Sequence, residues 1–155
     1  MTTRRSIFRI GLVTLLALAW PLPSEAGGEV IAVVINEKNP ATVLGASDLR
    51  PIFQTTKTRW QSDIEAVPVN LPNEDALRVE FDRVVLGLDP DRVARYWQDR
   101  RIRGGARPPT RVTSPGAVLR AVAAHPGAVG YVRASDVTSN VKVVAKISGG
   151  KLLSP

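Results

Sequence analysis

The stretch Pro126-Gly127-Ala128-Val129-Gly130-Tyr131-Val132 constrains this chain more than any other. It follows an Ala/Val-rich segment, residues 117–125, whose apolar spacing predicts a helix. Pro126 ends that helix, because it has no N–H to donate and its ring collides with the preceding turn. Gly127 is expected to take the positive φ of a sharp reversal. Residues 128–132 are then a short apolar run bounded by a polar loop, the pattern of a buried strand in an α/β sheet. Glycine weakens a strand interior, so Gly130 points to close approach by another backbone or a ligand. The plainer alternative is a turn leading into a core strand.

The N-terminal segment reads as an export signal. Arg4, Arg5 and Arg9 form a positive region, residues 10–20 are apolar, and Ser24-Glu25-Ala26 offers small residues at the −3 and −1 positions of a cleavage site. That apolar core is shorter than the ~20 residues a membrane span needs. Thr3-Arg4-Arg5-Ser6-Ile7-Phe8-Arg9 also resembles a twin-arginine export motif, and the sequence leaves the two export routes open. The expected organisation is a signal peptide, residues 1–26, then one periplasmic α/β domain, residues 27–155, with no membrane span. Loss of three arginines and one glutamate takes the net charge from +7 to +5. There is no cysteine, so packing alone must hold an exported fold. A basic balance favours anionic solutes or polymers; nucleic acid is not expected outside the cytoplasm.

Taken in order, residues 29–36 form a continuous apolar strand. Ser47 is a candidate N-cap for a short helix, residues 48–53, with Asp48 in its first turn. Residues 65–70 read as a second strand, which Pro68 makes an edge strand or a short one. Residues 73–86 are the clearest helix: Leu77, Phe81, Val84, Val85 and Leu88 share one face, with Asn73 as cap and Gly87 as terminator. Asp89-Pro90 opens another helix with Val93, Tyr96 and Trp97 on one face. Residues 101–109 form a Gly/Arg/Pro loop. Ser114-Pro115 opens the last helix, which buries Val118, Leu119 and Val122. A final strand covers residues 141–147, and residues 148–155 are expected to fray. The result is a mixed α/β sheet of about four to five strands with helices on both faces.

Enzymatic chemistry finds little support. His125 is the lone histidine, at a helix end that favours a cation, with no nucleophile marked beside it. The carboxylate pairs Glu74/Asp75, Glu80/Asp82 and Asp89/Asp91 do not share helix faces and read as caps and solvated positions. No metal or cofactor is expected, and no catalytic residue is assigned. The better candidate is a basic cluster. Arg95, Arg100, Arg101, Arg103, Arg107 and Arg111 face Asp99 alone, and Gly104-Gly105 is expected to offer backbone N–H groups beside them. The alternative is a solvated face on a flexible loop.

Three stretches resemble the phosphate-type solute-binding proteins of ABC transporters. Asp48-Leu49-Arg50-Pro51-Ile52-Phe53 with Trp60 is similar to that family's helix-loop-Trp segment. Phe81 with residues 84–87 resembles its middle helix, and residues 126–132 resemble its Pro-Gly-Ala-Ile-Gly-Tyr-Val strand. The resemblance runs from Val30 to Ile147 and implies a periplasmic-binding-protein-like lobe. Family members usually have two lobes and about twice this length. They hold phosphate with a Ser-Gly-Thr step at the start of the middle helix, helped by a nearby Arg. Here that region reads Asn70-Leu71-Pro72-Asn73-Glu74-Asp75-Ala76, and two carboxylates occupy the helix start. The resemblance therefore implies the fold and not the ligand. The expected function is a non-enzymatic binding module for a small anionic solute. Its candidate ligand residues are Asn70 and Asn73 at the helix start and Arg103, Gly104, Gly105 and Arg107 in the loop. The alternative is an envelope module that binds another protein and has lost the solute site.

The mature chain is expected to begin near Gly27. N-terminal sequencing of periplasmic material checks this, and a membrane-bound product that keeps Met1 would refute it.

Overall fold

The computed structural model describes residues 28–155; the expected signal peptide and its cleavage site lie outside the described residues. The fold is built on β1 (Ile31–Asn36), in which all six residues are buried. A strand with no polar face must be covered on both sides and flanked on both edges. β1 pairs antiparallel with β4 (Ala128–Arg133) and with β5 (Val141–Ser148). β2 (Val67–Asn70) runs parallel to β4 and to the two-residue β3 (Thr110–Arg111). β6 (Lys151–Leu153) closes the other side, so the order is β3-β2-β4-β1-β5-β6.

The sheet therefore has six strands where four to five were expected. Neither added strand has an apolar pattern that marks it in sequence. β6 replaces the expected frayed tail: Gly149 and Gly150 both take positive φ, 55° and 73°, which is the geometry of a tight hairpin turn. β3 follows directly on Pro108-Pro109, which cannot donate to a ladder. Pro68 is compatible with β2 because its nitrogen faces away from β4, on the side where β3 begins only opposite Val69.

Helices cover both faces. α4 (Pro115–Ala124) lies on one, with Ser114 Oγ accepting the Ala117 N–H at 3.2 Å. Asn36 donates through Nδ2 to the carbonyls of Val122 and Ala123, at 2.8 and 2.9 Å, and so ties the end of β1 to the end of α4. On the opposite face, α1 (Ala46–Phe53) and α2 (Ala76–Phe81) bring Phe53 and Phe81 against Tyr131. The Phe81 and Tyr131 rings stack with centroids 4.0 Å apart, and Phe53 tilts against Phe81 at 4.6 Å.

Two caps and the course of one helix differ from expectation. α1 starts two residues earlier than a Ser47 cap allows; Asp48 instead accepts the Gly45 N–H at 2.9 Å. Asp75, not Asn73, caps α2 by accepting the Leu77 N–H at 2.9 Å. The expected long helix is α2 followed by a π-helical turn, Asp82–Leu86, closed by Gly87 in the left-handed region.

The organising stretch behaves differently from its sequence reading. Gly127 does not have positive φ. Glycine is needed there because a Cβ would overlap the Glu65 carbonyl. Its own carbonyl accepts from Trp60 Nε1 and from the Val67 N–H, both at 2.9 Å, which pins residues 60–67 across the start of β4. At Gly130 the close neighbours are the Val118 and Val122 side chains of α4, not a ligand. Gly127→Ala should destabilise the protein by roughly 1–3 kcal/mol, the usual cost of forcing atoms into a packed site. Urea unfolding checks this, and an unchanged midpoint would contradict the packing described.

Candidate functional site

α3 (Pro90–Ile102) projects from the body as an arm. Asp89 caps it, accepting the Arg92 N–H at 2.9 Å, and Pro90 fills the first turn, where its missing N–H costs nothing. Only Val93 of its thirteen residues is fully buried. Tyr96 docks the arm by donating its hydroxyl to the Gln54 carbonyl at 3.1 Å. Trp97 meets the Tyr96 ring edge-on at 4.9 Å. The helix ends in a Schellman motif: Gly104, at φ 69°, donates to the Arg101 carbonyl and Gly105 to the Arg100 carbonyl, at 3.2 and 2.8 Å. The two N–H groups expected to be free for a ligand are thus spent on closing α3. The chain then returns through residues 105–109 to β3.

Between this arm, residues 105–111 and α2 lies an open cleft of about 900 Å³. It brings together Asn70, Asn73, Gly105 and Arg107 from the expected set, and adds Arg78, Trp97, Arg101 and Arg111. Arg103 and Gly104 do not line it; Arg103 pairs instead with Asp99 at 3.1 Å. Arg100 packs over Tyr96, its guanidinium carbon 5.7 Å from the ring centroid. The helix-start residues and the basic loop, read in sequence as separate candidates, border one space.

At the helix-start side, Tyr131 donates its hydroxyl to Asn70 Oδ1 at 3.1 Å. Burial holds that phenol far above its usual acidity range, so it stays a donor. Asn73 is exposed and lines the cleft without capping a helix. The first turn of α2 is satisfied by Asp75 itself, and α2 is only six residues long. Little of its N-terminal field remains for an outside anion.

Beneath the cleft, Arg78 donates through Nε to Asp82 Oδ2 at 2.6 Å and through a terminal nitrogen to the Leu71 carbonyl at 3.1 Å. Both side chains of the pair are 6% exposed, and Asp82 Oδ1 has no partner. Burial pushes the Asp82 carboxyl up and the Arg78 charge partly offsets this. Asp82 was expected to be solvated, and the structure corrects that. The available signal was the i,i+4 spacing of opposite charges flanking the apolar Leu77 and Phe81. Arg101, Arg107 and Arg111 are exposed and have no carboxylate within 4 Å among the described residues. No three His, Asp or Glu side chains among the described residues form a metal cluster.

This sheet, covered on both faces and carrying its cleft beside the β2–α2 turn, defines an α/β lobe of the periplasmic-binding-protein type. Solved structures that share this fold include proteins of phosphate transport. One, from Vibrio cholerae, is an ABC-type phosphate transport receptor with TM-score 0.59 and 20% identity, matched over 75% of this chain and 46% of its own. A Clostridium perfringens protein, assigned as a phosphate ABC transporter substrate-binding protein and solved with bound phosphate, aligns with TM-score 0.61 and 20% identity over 75% and 45% of the two chains. PstS from Borrelia burgdorferi gives TM-score 0.58 and 13% identity over 75% and 46%. The chain spans somewhat under half the length of these structures. No family model matches the sequence, and no curated protein matches it.

Asp82→Ala should cost ~3–5 kcal/mol, because it leaves the Arg78 charge buried without a partner. Urea unfolding reads the loss; a change below ~1 kcal/mol would mean the pair is solvated. The pH dependence has a definite sign. The folded carboxyl is raised above its usual value near 3.8, so its stabilising share is complete below that pH and is lost as pH rises through the folded value. The wild type should therefore gain on Asp82→Asn as pH falls from 7 towards 4.

Proposed function

We propose that this chain is an exported, non-enzymatic binding module whose cleft holds an anionic ligand on arginine side chains. The observation that carries the reading is the charge of one cleft. Arg78, Arg101, Arg107 and Arg111 line it against the single carboxylate Asp82, which Arg78 already pairs. Arginine is suited to bidentate oxyanion contact, and a cleft lined by one sign of charge concentrates ligands of the other. The leader-like residues 1–26 support export, and among the described residues no helix is long and apolar enough to cross a membrane. His125 gives no support to catalysis, since its Nδ1 accepts the Gly127 N–H at 3.2 Å within a turn.

The phosphate-binding neighbours lend the fold a binding role without naming the ligand. A Ser-Gly-Thr step is absent, and Asp75 and Glu74 hold the start of α2. Inorganic phosphate should therefore bind more weakly than the micromolar range, and calorimetry at low salt checks this. Polyphosphate, offered as a probe of charge, should raise the melting temperature of the wild type by mass action. Arg101→Ala with Arg107→Ala should cut its affinity about tenfold or more, most strongly at low salt, where the Debye length exceeds ~10 Å. A double variant that keeps wild-type affinity would refute the arginine cleft.

A further inference from the structure

We propose that the cleft docks an extended acidic segment of a partner protein, one that alternates carboxylates with apolar side chains. The proposal rests on the anion-binding reading of the same cleft and names its ligand class. Size is the first argument. A space of about 900 Å³ lies at the upper end of the ~300–1,000 Å³ typical of pockets for much larger ligands than a lone oxyanion. Composition is the second. Val79, Val93, Ala94, Trp97 and Pro109 form apolar walls between the arginines, and a bare polyanion would leave them uncovered. Trp97 is half-buried in the free protein, the state of an aromatic anchor before docking.

The third argument is the sheet edge. β3 is the outermost strand on this side. Its register with β2 uses the Val112 N–H on the Asn70 carbonyl at 2.9 Å. By the alternation of a parallel ladder, the Arg111 N–H and C=O then face away from β2. An incoming extended chain can pair with them while its side chains alternate between faces. Charge selects the occupant. A second copy of this chain is itself basic, +7 over its full sequence, and residues 1–27 carry three arginines against one glutamate; both would be repelled. An acidic partner is complementary to Arg101, Arg107 and Arg111.

Calorimetry at low salt with three probes tests this: a short peptide alternating Glu with Leu, its counterpart alternating Glu with Ser, and polyphosphate of equal charge. The Glu/Leu peptide should bind about tenfold tighter than either of the others, the scale of one apolar anchor. Trp97→Ala should abolish that preference, bringing the Glu/Leu peptide down to the affinity of the Glu/Ser peptide. Ala94→Glu changes an exposed helix position that cannot unfold the core. It should weaken the Glu/Leu peptide about tenfold by placing like charge in its path. If polyphosphate or the Glu/Ser peptide binds as tightly as the Glu/Leu peptide, or if Ala94→Glu has no effect, the docking proposal is overturned while the anion-binding reading stands. If no probe binds in an arginine-dependent way, both fall.

Discussion

Tyr131 couples the sheet to everything that borders the cleft. Its ring stacks on Phe81 of α2, and its hydroxyl donates to Asn70 at the end of β2. A phenol buried this deeply must keep its proton and find an acceptor, and Asn70 is that acceptor. β4, α2 and the β2–α2 turn are thereby fixed relative to one another. Phe53 extends the same stack to α1. Arg78 and Asp82, beneath the cleft, flank Phe81 in sequence and so lie on the segment that this cluster packs against the sheet.

The arm has the opposite character. α3 buries one residue fully and is held by its capped ends and the Tyr96–Gln54 bond. Its stability comes from local devices: Asp89 and Pro90 at the start, the Schellman glycines at the end. A helix attached in this way can carry exposed arginines without disturbing the core. It can also adjust its distance from α2 at little cost, because few packed side chains must move.

Much of the fold was legible because its signals were local. The apolar run of β1, the Ser114-Pro115 and Asp89-Pro90 helix starts and the Pro126 stop each depend on nearest neighbours. Failures arose where tertiary contacts decide. Gly127 looked like a turn glycine, yet it is required by the approach of the Glu65 carbonyl, 62 residues away in sequence. Gly130 was read as room for backbone or ligand, and α4 fills that room. β3 and β6 are too short to carry a pattern and exist because a neighbouring strand offers an unpaired edge. At the cleft, sequence proximity put all six arginines in one cluster. Helical geometry splits them: Arg101 lines the cleft, while Arg100 and Arg103 turn to Tyr96 and Asp99. Asp82 was misread because burial is not visible in a charge pair's spacing alone.

The same geometry explains how this lobe can share the fold of phosphate-binding proteins while Asp75 caps the start of α2. The structural cluster of Tyr131, Phe81 and Phe53 reaches the β2–α2 turn only through Asn70 and Leu71, not through residues 73–75. Asp75 can therefore satisfy the first turn of α2 internally without weakening the sheet. Positive charge has instead gathered along the arm and β3, where Arg101, Arg107 and Arg111 converge without carboxylates. In the free protein water screens their mutual repulsion, so the cluster costs little stability. A ligand that excludes that water must bring its own negative charge to the same places, since any neutral occupant would leave the arginines desolvated and unpaired. Under the proposed function, the same charges that favour an acidic ligand therefore also disfavour an uncharged one.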